Sequence, residues 1–321
     1  MIRRAAGWLG RWRDLLPADP LPGGSSAAGD ARSRLLAAAL MLLAFFGSGY
    51  LIASDMLRTN PFERPYSRWL VDILYWPAFA LQISLQVLVL AQAANTVGES
   101  VRRQTWDSLR VTPLGAGLLL RRRWWRLLAG QLRGLLSLLL AVRLLLLTGV
   151  LVEMAAFRGE HLSYLSALAQ PAVPAPLGLA LLALALAAAF MLPLTGLAFD
   201  AALGLLISTR VRQRVYVSLV LVTLVALRLA LVFLLLAGVE QFRASALDLP
   251  AVGAWLLLLA FALVGDWGLA LLSLGFVGGQ VWAGLPLGVL IGVALVIGAL
   301  LQAALADALL ALASREAEHR E

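Results

Sequence analysis

The stretch Val101-Arg102-Arg103-Gln104-Thr105-Trp106-Asp107-Ser108-Leu109-Arg110-Val111-Thr112-Pro113-Leu114 decides how this chain is read. It is a polar, arginine-rich island between two long apolar runs, 73–94 and 127–152. Near a bilayer centre each Arg would cost about 2.5–3.5 kcal/mol on insertion scales, so the island is a loop between membrane spans. Arg102, Arg103, Arg110, Arg121, Arg122, Arg123 and Arg126 all fall in this one inter-span segment, 95–126. The positive-inside rule puts such a segment in the cytoplasm.

Composition agrees with a membrane setting. The chain is 61% hydrophobic and 14% charged, with a mean hydropathy of +0.88. That is far more apolar surface than a soluble domain of 321 residues needs. The net charge of +8 comes from Arg in short loops beside apolar runs, which is a topology signal and does not point to nucleic acid. Cysteine is absent, which excludes disulfides, thiolate metal sites and Cys nucleophiles.

Apolar runs near the roughly 20 residues that a helix needs to cross a bilayer occur at 35–57, 73–94, 127–152, 177–207, 215–239 and 285–312. Segments 58–72, 153–176 and 240–249 read as outer loops, and 208–214, with Arg210, Arg212 and Arg214, as a tight cytoplasmic turn. Pro193 and Gly196 are expected to kink the fourth span. Runs 251–264 and 269–282 are each short for a crossing and flank Gly265-Asp266-Trp267-Gly268, a turn that carries a charge. They read as a re-entrant helical hairpin dipping in from the outside, tolerated where protein buries its irregular backbone. A full crossing by both runs gives eight spans with the same termini. One long helix over 251–282 gives seven and an outer C-terminus. The fold class expected is all-α: a polytopic helical membrane protein with six transmembrane helices, a re-entrant hairpin before the last span, and both termini in the cytoplasm.

Residues 1–30 form a separate unit in this reading. Ile2, Ala5, Leu9, Trp12 and Leu16 recur at helical spacing among Arg3, Arg4, Arg11 and Arg13, the pattern of an amphipathic helix lying in the membrane interface. Segment 17–30 is a Pro-, Gly- and Ser-rich linker. Residues 31–321 are the transmembrane unit.

The decapeptide Thr105-Trp106-Asp107-Ser108-Leu109-Arg110-Val111-Thr112-Pro113-Leu114 resembles the loop between the second and third spans of type-2 ABC exporter permeases. Those loops read Glu-Arg-x-x-Gly-Thr-apolar-Asp/Glu-Leu-Leu-x-apolar-Thr-Pro-apolar. The likeness covers about fourteen residues, in the expected place of a six-span layout. The chain departs from the pattern at its opening Glu, at Gln104 and at Ser108, and has Arg122-Arg123 where the family has Gly-Lys. In that family the loop is a coupling helix that docks on a separate ATP-binding subunit. The resemblance implies this role for Thr105, Trp106, Asp107, Leu109, Thr112 and Pro113, with Arg103 and Arg110 beside them. It also implies an ABC ATP-binding subunit carrying ATP and Mg, and a second permease copy or paralogue.

The residues themselves are consistent with docking. Glu99, Arg103 and Asp107 are spaced four apart, so each neighbouring pair can meet on a helix. Trp106 and Leu109 lie on an adjacent face, and Trp and Arg are favoured interface anchors. Pro113 biases Thr112 away from helical geometry and ends the helix. The bland alternative is a solvated loop held to lipid headgroups by Arg and Trp.

Within the spans, Gln82, Gln86, Arg133, Arg143, Asp200 and Arg228 are the polar or ionisable residues of interest. Ionisable groups there are costly and are functional candidates by default. Arg133 is near enough to the inner end of its span to snorkel. Arg143 and Arg228 are deeper and must face protein, a water path or a carboxylate. Gln82 and Gln86 share a helix face and serve either a path or helix association. Arg133 and Asp200 lie at similar depth from the inner end, so an ion pair between them is expected.

No cofactor is expected on this chain. It has no Lys at all, so a Walker A phosphate loop is impossible. Its two His, His161 and His319, exclude a His-Glu-x-x-His zinc site. No enzyme constellation is found. The function expected is the permease subunit of an ATP-driven exporter in a bacterial cytoplasmic membrane. The rivals are a membrane scaffold or assembly protein, and a secondary transporter that uses Arg143 and Arg228 for an anionic substrate.

Overall fold

The computed structural model describes residues 27–57, 66–102, 115–211, 213–272, 281–282 and 285–318. Every regular element among them is helical: α1 (Ala27–Met56), α2 (Tyr66–Arg102), α3 (Gly115–Arg126), α4 (Arg133–Leu168), α5 (Ala175–Arg210), α6 (Arg214–Arg243), α7 (Ala251–Ala260) and α8 (Ile291–Glu318). Six of these contain stretches long and apolar enough to cross a membrane: Ala31–Asp55, Trp69–Asn95, Arg133–Ala155, Ala175–Arg210, Val215–Arg243 and Gly288–Glu318. The protein is an all-α polytopic membrane protein, as the apolar runs predict. With an even number of crossings, α1 begins and α8 ends at the same end of the bundle. That end carries Arg121, Arg122, Arg123 and Arg126 of α3, and is called the Arg-rich end below.

Helices run past the boundaries that composition suggests. α4 is 36 residues long, about 54 Å at 1.5 Å per residue, and continues through most of the segment expected to be an outer loop. Leu and Ala are interspersed with its polar residues there, so helix propagation outlasts the membrane. α2 likewise extends to Arg102, into the segment expected as island. Of the N-terminal unit expected at 1–30, residues 1–26 lie outside the described residues; residues 27–30, expected as the end of the linker, are instead the first turn of α1.

The core is built around α5, the most buried of the spans. α5 packs against α2, α4 and α8. Small residues make these approaches possible: a Cβ on Gly292 of α8 would lie 2.5 Å from the backbone nitrogen of Ala185, so the two helices meet backbone to backbone. α1 packs mainly on α4, where the Ser48 and Thr148 hydroxyls are 3.0 Å apart. α1 and α6 otherwise turn rows of large apolar side chains outward, among them Leu43, Phe46, Val222 and Leu234. In lipid that exposure carries no penalty.

α7 continues through a π-helical turn, Phe261–Gly265, closed by Asp266 N–H on the Phe261 carbonyl at 2.9 Å. The helix from Ala251 to Gly265 is about 22 Å long at 1.5 Å per residue, short of the ~30 Å of bilayer hydrocarbon. It stops inside the bundle. The indole of Trp255, near its start, donates to the Pro286 carbonyl at 2.8 Å. The segment from α7 to α8 therefore leaves beside the point where it came in, as expected of a re-entrant hairpin.

Candidate functional site

The hairpin tip presents a problem in lipid. A helix that ends in hydrocarbon leaves its last carbonyls without partners, and no water is at hand to satisfy them. Here three side chains, two amides and a guanidinium from three other helices, aim four hydrogen bonds at that end. Gln302 Nε2 of α8 donates to the Leu263 carbonyl at 3.0 Å. Gln82 Nε2 of α2 donates to Gly265 at 3.3 Å. Arg143 of α4 donates from Nη2 to Asp266 and from Nη1 to Trp267, both at 2.9 Å. The positive guanidinium also sits where the helix dipole is negative.

Arg143 is fully buried, and its remaining bonds explain how that is sustained. Its Nη2 donates to Gln82 Oε1 at 2.7 Å, which orients the amide whose nitrogen caps Gly265. Its Nη1 also donates to the carbonyl of Ala189 in α5. That carbonyl is four residues before Pro193. Proline has no N–H, so the Ala189 carbonyl lacks its helical donor; Arg143 supplies one. The sequence points to Pro193 as a kink, and its further consequence is an acceptor held open in mid-span for a guanidinium on another helix. Of the Arg143 nitrogens, Nε is without a partner, as is Trp267 Nε1 in the hairpin tip.

The carboxylate of Asp266 faces the other way. Oδ1 accepts from Gly268 N–H at 3.0 Å and Oδ2 from Ala270 N–H, so it caps the short 3-10 turn Ala270–Leu272 that starts the return limb. One turn thus carries a cation at the carbonyl end of the incoming limb and an anion at the amide end of the outgoing one. Between them, Trp267 (φ 52°) and Gly268 (φ 74°) take left-handed conformations in succession. For a residue as bulky as Trp this costs about 1–3 kcal/mol. Trp267 is fully buried, and a Cβ on Gly196 would lie 2.5 Å from its ring. Gly196 is therefore the notch in α5 that receives the indole.

One to two turns nearer the Arg-rich end is a second polar group. Asp200 of α5 is fully buried and its Oδ1 pairs with Arg228 Nη1 of α6. Asp200 Oδ2 and Arg228 Nε are buried without partners, as is Gln86 Nε2 of α2. Gly204 of α5 lies against Leu90 and Ala93 of α2. Gln86 and Asp200, each four residues earlier in parallel helices, therefore lie at one level.

The pairing of Asp200 corrects the expectation that Arg133 would be its partner. Arg133 opens α4, is half-buried, and donates from Nε to the Ala129 carbonyl one turn back at 2.7 Å. The two residues match in depth but not in azimuth: Asp200 looks toward α6. The coupling candidates Arg103, Thr105, Trp106, Asp107, Leu109, Arg110, Thr112 and Pro113 lie outside the described residues. The structure brings together Gln82 and Arg143 at one centre and Asp200 and Arg228 at a second. Reading the sequence missed Gln302, and missed that Asp266 and Trp267 belong with Arg143.

The chain matches no family model, no curated protein and no solved structure.

Proposed function

We propose that this chain is the membrane-spanning subunit of an ATP-driven exporter, in a bacterial cytoplasmic membrane with its Arg-rich end in the cytoplasm. The observation that carries the reading is the Thr105–Leu114 sequence, which resembles the coupling loop of type-2 ABC exporter permeases, between the second and third of six apolar spans. Such a chain is half of a transporter. It works with a second permease copy or paralogue and with separate ATP-binding subunits, which hold ATP and Mg. The chain has no Lys and so no Walker A loop, which assigns hydrolysis to the partner.

The hairpin centre supports this reading over a secondary transporter. A free anion receptor needs donors left open for substrate. Arg143 spends its two terminal nitrogens on four protein oxygens and Arg228 gives Nη1 to Asp200, which leaves one buried Nε on each without a partner. These charges brace helices. A hairpin tip tied through Arg143 to the same helix, α5, suits transmission of a push from the cytoplasmic loops.

The test is affinity purification of the tagged chain from its source membrane. The expected result is an ABC ATPase that co-purifies and whose turnover depends on the intact chain. Transport by the purified chain alone, driven by an ion gradient, would reject the proposal.

A further inference from the structure

A groove of about 740 Å³ opens between α3, the π-helical turn after it, α5 and α8 at the Arg-rich end. This is within the size range of ligand sites, ~300–1,000 Å³. Its walls are apolar, with Trp125, Leu128, Leu136 and Leu194 among the lining residues. The polar groups of its deeper part are already engaged: Trp124 Nε1 donates to the Ala198 carbonyl at 3.0 Å and Thr195 Oγ1 to Gln302 Oε1 at 2.9 Å. The interior therefore asks for hydrocarbon. The rim differs. Arg121 and Asp307 face each other there, Nη2 to Oδ1 at 3.1 Å, with side chains 44% and 73% exposed. Trp125, one helical turn from Arg121, lines the groove beside them, and tryptophan gathers at headgroup level.

We infer that the groove is a binding site for one bilayer phospholipid whose headgroup carries both a phosphate and a primary ammonium. Its hydrocarbon fills the groove, its phosphate meets Arg121, and its ammonium meets Asp307. Adjacent opposite charges on an exposed rim complement a headgroup with the same two charges. A purely anionic headgroup would meet the Asp307 carboxylate. A quaternary ammonium of the choline type has the charge but no N–H to donate, and so forfeits the charge-assisted hydrogen bond. The site stands whether or not the chain works with an ATPase.

The experiment is native mass spectrometry of the full chain from nanodiscs of equal phosphatidylethanolamine, phosphatidylcholine and phosphatidylglycerol. The expected result is one retained phosphatidylethanolamine, favoured about tenfold over phosphatidylcholine. Asp307→Asn should bring the two to parity. Leu194→Trp, which fills the groove, should abolish retention, while Leu234→Trp on the outer face of α6 should not. Asp307 is on the exposed rim, so its variant tests the site even if Leu194→Trp folds poorly. Equal retention of the two by the unaltered chain, a preference for phosphatidylglycerol, a preference unchanged by Asp307→Asn, or a second copy of the chain in place of lipid would each overturn the assignment.

Discussion

Arg143 donates to the Ala189 carbonyl, the acceptor that Pro193 leaves without a helical N–H. A proline in one helix and an arginine in another are thus two halves of one device. The same guanidinium caps the end of the re-entrant helix, so a single side chain ties α5, α4 and the hairpin tip together. Its burial would be costly alone, and the acceptors gathered around it are what make it tolerable.

Replacing Arg143 by Met should strand buried carbonyls at Asp266, Trp267 and Ala189 and leave Asp266 without a nearby cation. Loss of one partner of a buried charged network typically costs about 3–5 kcal/mol. Thermal unfolding in detergent should show a large drop. Pro193→Ala restores an N–H to α5, so it should relieve the Ala189 part of the penalty in the Arg143→Met background. The expected coupling in the double-mutant cycle is about 1 kcal/mol. Strict additivity would show that Pro193 and Arg143 are independent.

Asp200 and Arg228 should behave as a pair. Asp200→Asn or Arg228→Gln alone should lower the yield of folded protein, by an amount equivalent to ~3 kcal/mol or more. The double change should recover much of that loss. The same cycle run with Arg133→Gln in place of Arg228→Gln should be additive, because Arg133 does not reach Asp200. Yield and unfolding temperature of the six proteins decide between the two pairings.

Gly196→Ala should push a methyl group into the Trp267 indole, where the clash distance is 2.5 Å. Overpacking of this kind costs about 1–3 kcal/mol. Trp267→Leu removes the ring and should make Gly196→Ala nearly neutral. Unfolding temperatures of the single and double variants measure this directly. An unchanged temperature for Gly196→Ala alone would mean that the hairpin tip is not seated against α5.

The hairpin path can be followed by chemical labelling, because the natural chain has no Cys. Single cysteines at Ser245 and Leu287, on either side of the hairpin, should react with an impermeant maleimide from the same side of the membrane. Ser314 should react from the opposite side. Reaction of Leu287 and Ser245 from opposite sides would mean that segment 251–282 crosses once.

Much of this architecture is legible in the residues. Apolar run lengths place all six spans, because hydrocarbon imposes a length that sequence must match. The hairpin is legible because Gly265-Asp266-Trp267-Gly268 divides a run too long for one span and too short for two. Helix ends are less so. α4 runs past its membrane segment because nothing in 153–168 stops a helix, and polarity alone does not. The site is legible in its members and not in its pairings. Arg143, Gln82, Asp200 and Arg228 announce themselves as buried polar groups, but depth along a helix says nothing about which neighbour it faces. That is why depth alone pairs Asp200 with Arg133, whereas the fold pairs it with Arg228. Gln302 gave no warning, since a glutamine near the middle of a long Ala/Leu helix looks like any helix-associating amide.

The role proposed for the island at residues 101–114 is to couple this chain to an ATPase. The most direct test is a pull-down of the co-purifying ATPase with Trp106→Ala and, as a control in the same segment, Arg126→Ala, with turnover measured in each complex. Trp106→Ala should insert normally but lose about 2 kcal/mol of docking energy, roughly thirtyfold in affinity, and with it coupled turnover, while Arg126→Ala keeps both. Full binding and coupling in Trp106→Ala, with loss of both in Arg126→Ala, would make the island an electrostatic contact and contradict the exporter account.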